Sequence, residues 1–193
     1  MKFDSSIHHR RSIRLKDFDY SQPGGYFITI VTHQRECLFG EIANEEVILS
    51  KFGQVAKQQW EKLPRRFHNV ELSAFVIMPN HIHGIIIIQD DRRGIAGNLQ
   101  DFDEETSRYA PTKQQFGKMV AGSIPTIVRS YKSAVSYRIN LMHGTRGAPV
   151  WQRNYYEHVI RNQSNLEQIY KYIQFNPIRW AKDEENPEWQ NHH

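Results

Sequence analysis

The sequence predicts an α+β fold, an antiparallel sheet with helices packed on it, from three observations. Runs of β-branched and aromatic residues alternate with runs of helical apolar spacing. Two strand-like runs are separated only by Pro79-Asn80, a break so tight that it implies an antiparallel hairpin. The order reads strand, helix, strand, strand, helix, strand, helix.

The first strand is YFITIVTH, Tyr26 to His33, following the turn signal SQPGG. CLFGEI and EVILS read as short edge pieces. Phe52, Val55, Ala56, Trp60 and Leu63 recur at helical spacing over 51–63. VELSAFVIMPNHIHGIIIIQ supplies the hairpin, although Pro-Asn is not a favoured two-residue turn pair. The next helix spans Ser123 to about Met142, with Ile124, Val128, Tyr131, Val135 and Ile139 on one stripe. A further strand is expected around Val150-Trp151-Gln152. The last helix starts at Ser164, where Ser164-Asn165-Leu166-Glu167 fits a capping box, and Pro177 limits its continuation. No internal repeat is present.

The 193 residues suit one domain and one core, and 39% hydrophobic with 12% aromatic content is too apolar for a disordered chain. The expected division is a basic arm over 1–24, a domain over 25–180 with a polar insert at about 90–115, and a tail over 181–193. No apolar run can cross a bilayer, and MKFDSSIHHRRSIRLK lacks the greasy centre of a secretory signal, so a cytoplasmic protein is expected. One cysteine, Cys37, excludes an intramolecular disulfide and a Cys-based zinc cluster.

Charge is unevenly distributed. Thr106 to Tyr156 contains no Asp or Glu but eight basic residues, leaving 17 Lys and Arg against 21 Asp and Glu elsewhere. Such a stretch is a candidate phosphate-binding surface, and equally a solvated basic face. If it tracks a nucleic acid backbone, Arg129 and Lys132 lead the contacts, with Arg138 and Arg153 beside them.

His81 and His83 lie two apart in a strand, so both side chains project from one face. Two imidazoles at that spacing can grip one divalent cation. Histidines at a strand end are also often merely hydrogen-bonded. The Ile-rich remainder of the strand favours the metal reading, since an unpaired polar group is costly to bury there. Gly84 leaves room on the opposite face.

On the last helix, at about 100° per residue and with Leu166 at zero, Ile169, Tyr170 and Ile173 fall within about 60° and form the buried stripe. Tyr172 lies about 120° away. Gln168, Tyr172 and Asn176 follow at i, i+4, i+8 on a more polar face. This suits a nucleophile with a ligating amide one turn on, and it also suits a surface tyrosine covering the core's edge.

MPNHIHGIII, followed downstream by WQRNYYEHVIRNQSNLEQIYKYIQFNPIRW, resembles the single-tyrosine HUH transposases, in particular the branch associated with repetitive extragenic palindromes (REP). GGYFITIVTHQRECLFGEI and IPTIVRSYKSAVSYRIN are similar to the same family, so the likeness runs from about Arg11 to Trp180. It implies the ferredoxin-like, RRM-like palm of those enzymes. His81, Ile82 and His83 match the His-hydrophobic-His motif, Tyr172 matches the nucleophile of Tyr-Ile-x-x-Asn-Pro, and Asn176 stands where relatives carry a polar third ligand, often Gln. Tyr155, Tyr156 and Tyr170 are the rival tyrosines.

The resemblance implies a Mg- or Mn-dependent endonuclease and strand transferase. It would act on single-stranded or hairpin DNA through a 5′-phosphotyrosine, as a monomer or homodimer, with no membrane partner. The residues do not identify a general base. Two rival readings remain at this point: a non-catalytic nucleic-acid-binding module of the same fold, and a small metal-dependent hydrolase without covalent capture.

Overall fold

The computed structural model describes residues 18–90 and 120–190. Residues 1–17 of the expected 1–24 arm, most of the 90–115 insert and residues 191–193 lie outside them, as do Arg108, Lys113 and Lys118. In chain order the elements are β1 (Gly24–Val31), a 3-10 turn (His33–Arg35), β2 (Gly40–Ala43), β3 (Glu46–Leu49), α1 (Lys51–Glu61) and α2 (Leu63–Arg66). They continue as β4 (Val70–Ile77), β5 (His81–Ile88), α3 (Ile124–His143), β6 (Tyr156–Ile160), α4 (Gln163–Arg179), a second 3-10 turn (Trp180–Lys182) and α5 (Pro187–Gln190). The expected α+β fold is present. An antiparallel four-stranded sheet has the order β4-β5-β1-β6, and β2 and β3 form a separate hairpin.

Strand alternation divides the molecule into layers. Tyr26, Ile28, Ile30, Ile82 and Ile86 face a core closed by Ala56 and Trp60 of α1 and by Ile124, Val128, Tyr131 and Val135 of α3. The alternate residues Phe27 and Ile85, with Ile160, pack against Leu166, Ile169 and Ile173 of α4. The sheet is therefore covered on both faces, and α4 alone covers the face carrying His81 and His83. No described helix is long and apolar enough to cross a membrane.

The hairpin turn is what the sequence implies. Met78 donates to the His81 carbonyl at 2.8 Å with Pro79 and Asn80 between them. A turn pair with little intrinsic preference is held from outside: Phe39 donates to the Pro79 carbonyl and Thr32 to the Asn80 carbonyl, each at 2.8 Å. Ser50 caps α1 by accepting from the amides of Phe52 and Gly53, which starts the helix where the apolar spacing places it.

Four local expectations change. The strand expected at Val150–Gln152 reduces to one bridge, Thr32 to Trp151, because Trp151 turns into the core against Phe39 and Tyr131. The edge strand forms later, at Tyr156–Ile160. Helix α4 is capped by Asn162, whose side chain accepts from the Asn165 amide at 2.8 Å, and not by Ser164. Pro177 lies inside α4, which runs on to Arg179: the buried Asn176 anchors the turn before it, and Trp180 donates to the Pro177 carbonyl after it. The room expected beside Gly84 is filled by the Trp60 indole.

A Cβ built on Gly84 would stand 2.3 Å from Trp60 Cζ2. Gly84→Ala should therefore destabilise the fold by roughly 1–3 kcal/mol, the usual cost of overpacking a tight core. Denaturant unfolding measures this, and wild-type stability would refute the close approach.

Candidate active site

The two imidazoles emerge side by side between the sheet and α4, with ring centroids 4.5 Å apart. Both are buried. Asn80 fixes the first. Its Nδ2 donates to the carbonyls of Arg35 at 3.1 Å and Glu185 at 2.6 Å, so its Oδ1 can only be the acceptor facing His81 Nδ1 at 2.9 Å. His81 Nδ1 therefore carries the proton, and Nε2 presents a bare lone pair that meets no hydrogen-bond partner among the described residues. His83 Nδ1 lies 2.8 Å from the Thr29 hydroxyl on the paired strand β1. Its Nε2 faces the Tyr172 hydroxyl at 3.2 Å. Phe27 stacks on the His83 ring and meets Tyr172 edge-on, closing the apolar side of the cleft.

Asn176 is buried one turn beyond Tyr172, and its Oδ1 likewise has no hydrogen-bond partner among the described residues. Acceptors left open at such depth are costly unless a donor or a cation meets them. Imidazole nitrogen and amide oxygen are both donor types that divalent cations accept, so the residues fit a metal.

A carboxylate joins them. Ligand-type atoms of His81, His83 and Asp183 all lie within 4.8 Å of one another. Asp183 stands in a strap that follows α4, within the segment expected to be a tail, and no sequence signal marked it. The strap is pinned by an ion pair from Arg35 Nε to Glu185 Oε2 at 2.7 Å. Gln34 and Arg35 both take left-handed backbone angles, φ 54 and 57, a strain costing on the order of 1 kcal/mol or more per residue that the Asn80 contact to the Arg35 carbonyl helps to hold.

The other expected residues divide. Tyr170 is not a core residue: it is partly exposed and its hydroxyl meets Ser73 at the sheet's edge. The sheet-facing residues of α4 are Leu166, Ile169, Ile173 and Asn176, so the buried stripe is centred closer to Tyr172 than Leu166 alone indicates. Tyr155 packs against the core and Tyr156 is exposed on β6. Lys132, expected as a DNA contact, fastens the segment before β6. Its Nζ donates to the carbonyls of Gln152 at 2.6 Å and Asn154 at 3.2 Å, and burial lowers its pKa to about 8. Arg129 and Arg138 are exposed on α3, across the sheet from the histidines, and Arg153 is exposed in the segment before β6.

No family model matches the chain. An uncharacterised protein of Haemophilus influenzae is 42% identical over 183 residues, spanning 95% of this chain and 96% of that one. A second H. influenzae protein, bearing the name "Putative REP-associated tyrosine transposase", is 27% identical over 173 residues, spanning 89% of this chain and 80% of that one. The chain is therefore similar in sequence to a REP-associated tyrosine transposase. A solved REP-associated tyrosine transposase bound to a REP hairpin aligns over 89% of this chain and 73% of its own, with 18% identity and a TM-score of 0.49.

The electrostatics of the site follow from burial. Desolvation lowers the His81 pKa to about 4, against smaller opposing effects of Asp183 and the Asn176 amide. Desolvation, then the neighbouring His81, holds His83 well below its ordinary value. Both rings are therefore neutral at pH 7, the form in which imidazole binds a cation. Tyr172 is pushed up to about 12, first by desolvation and then by Asp183, while Asn176 pulls the other way and Glu185 and Glu184 add to the rise.

Both imidazoles take up protons less readily folded than unfolded, where 6.5 applies. Acidification from about pH 6.5 toward pH 4 then protonates the unfolded chain preferentially and removes stability. The melting temperature of the metal-free protein should fall across that window, and a His81→Gln, His83→Gln double variant should show a shallower fall. A wild-type curve that is flat, or that rises toward pH 4, would contradict the buried neutral pair.

Proposed function

We propose that this chain is a metal-dependent single-stranded DNA endonuclease and strand transferase that works through a 5′-phosphotyrosine. The observation carrying this reading is the Tyr172 hydroxyl 3.2 Å from His83 Nε2, beside the unpartnered His81 Nε2 and Asn176 Oδ1. His81, His83 and Asn176 would hold a divalent cation, Mg or Mn. Such an ion, when bound, supplies Lewis-acid polarisation of the scissile phosphate and a template for its oxygens.

The chain's own residues do the rest. Tyr172 oxygen attacks phosphorus, the bond from phosphorus to the 3′ oxygen breaks, and the products are a phosphotyrosine on the 5′ end and a free 3′-hydroxyl. The phenolic proton passes to solvent and the departing oxygen takes one back, so the step is balanced. The covalent link retains the energy of the broken ester, and a second strand's 3′-hydroxyl reverses the step to join ends. With its pKa raised to about 12, the phenol stays protonated until positive charge enters the cleft, which couples nucleophile activation to a loaded site. Phe27 meets the Tyr172 ring edge-on and supports it from the sheet.

The substrate class, a hairpin with adjacent unpaired DNA, is carried over from the resemblance and from the relatives' names. Arg129, Arg138 and Arg153 are the backbone contacts in this reading, and they would make binding weaken with salt. The reading accommodates a monomer or a homodimer.

The test is incubation with a pool of single-stranded hairpin oligonucleotides plus Mn, followed by mass spectrometry of tyrosine–nucleotide peptides. Tyr172→Phe should abolish the adduct while leaving DNA affinity within about twofold, because a single hydroxyl on a half-exposed ring adds little to a phosphate-dominated interface. Tyr170→Phe should keep the adduct. An adduct surviving in the Tyr172 variant would refute the nucleophile. Unaltered cutting by a His81→Ala, His83→Ala protein would refute the metal assignment, and free 5′-phosphate ends with no attached protein would indicate simple hydrolysis.

A further inference from the structure

We propose that Asp183 is a carboxylate ligand of the same cation, brought to the site by a C-terminal strap that is latched through Arg35 and Asn80. The inference rests on His81 and His83 being ligands, and it adds a residue from outside the HUH–tyrosine motifs.

Three observations carry it. First, the Asp183 carboxylate lies with both imidazoles inside a 4.8 Å cluster of ligand atoms, and His81 is fully buried with its Nε2 meeting no hydrogen-bond partner among the described residues. Second, the remaining donors are all uncharged. Two imidazoles and an amide leave the charge of a divalent cation uncompensated, and cations of the Mg and Mn class favour anionic oxygen. Asp183 is the acidic residue in that cluster.

Third, the strap is built to hold the carboxylate. The Glu185 amide donates to Asp183 Oδ1 at 2.7 Å, orienting the group. Glu185 itself is held twice, by the Arg35 guanidinium at 2.7 Å and through its carbonyl by Asn80 Nδ2 at 2.6 Å. The Asn80 amide that anchors the strap is also the one that sets the His81 tautomer. Asn186 closes the bend by donating to the Trp180 carbonyl at 2.9 Å. The strap and the histidine strand thus share one fixing point, so the carboxylate and the His81 lone pair keep a constant relation.

The test is titration of the DNA-free protein with Mn²⁺, followed by calorimetry and by the electron paramagnetic resonance signal of free Mn²⁺. Asp183→Asn, which keeps size and the contact from the Glu185 amide, should weaken Mn²⁺ binding at least about tenfold, on the scale at which even supporting residues act on metal affinity. Glu185→Gln, which loosens the latch without touching a ligand, should weaken it by up to about fivefold, the range of a solvent-accessible ion pair. Should Asp183→Asn misfold, the Glu185→Gln titration still decides whether the strap bears on the metal. Wild-type affinity in the Asp183 variant would overturn this inference while the histidine assignment stands, provided that His81→Ala, His83→Ala loses Mn²⁺. Wild-type affinity in the double histidine variant would overturn both.

Discussion

The site depends on one buried amide. Asn80 lies in a two-residue turn and is fully enclosed. Its two ends reach four neighbours' worth of structure: the His81 ring, the strained turn at Arg35, the C-terminal strap at Glu185, and through its own backbone carbonyl the end of β1. Each contact uses a donor or acceptor that has no solvent alternative, so none can be given up cheaply. The resulting network explains why a Pro-Asn turn of low intrinsic preference is well formed. It also sets the tautomer of His81.

Above this floor, α4 forms a roof seated chiefly by apolar packing. Leu166, Ile169 and Ile173 seat on Phe27, Ile85 and Ile160. That seating rolls the helix until Asn176 points inward and Tyr172 stands at the rim, half in water and half against Phe27 and His83. The nucleophile's environment is therefore a compromise between access for a polymer substrate and desolvation of the phenol.

How much of this was legible in the sequence varied with the range of the physics involved. The shared face of His81 and His83 follows from the two-residue period of a strand, and it holds. The helix wheel separates Tyr172 from the other tyrosines only when Asn176 is counted in the buried stripe. Asparagine is not an apolar signal, so Tyr170 looked more buried than it is. Charge alone does not reveal that backbone carbonyls of Gln152, Arg153 and Asn154 gather around Lys132. The edge strand was misplaced because Trp151 serves the core instead of the ladder. Asp183 was invisible: it is about a hundred residues from the histidines, and only the chain's reversal after Pro177 carries it back.

The bare backbone at Gly84 has a mechanical meaning. The indole of Trp60 presses on the strand directly behind the imidazoles, with no side chain between them. A sheet supported this way has little freedom to bow when a bulky polymer pushes into the opposite cleft. The face that carries the imidazoles thus rests on a packed ring rather than on a cushion of flexible side chains.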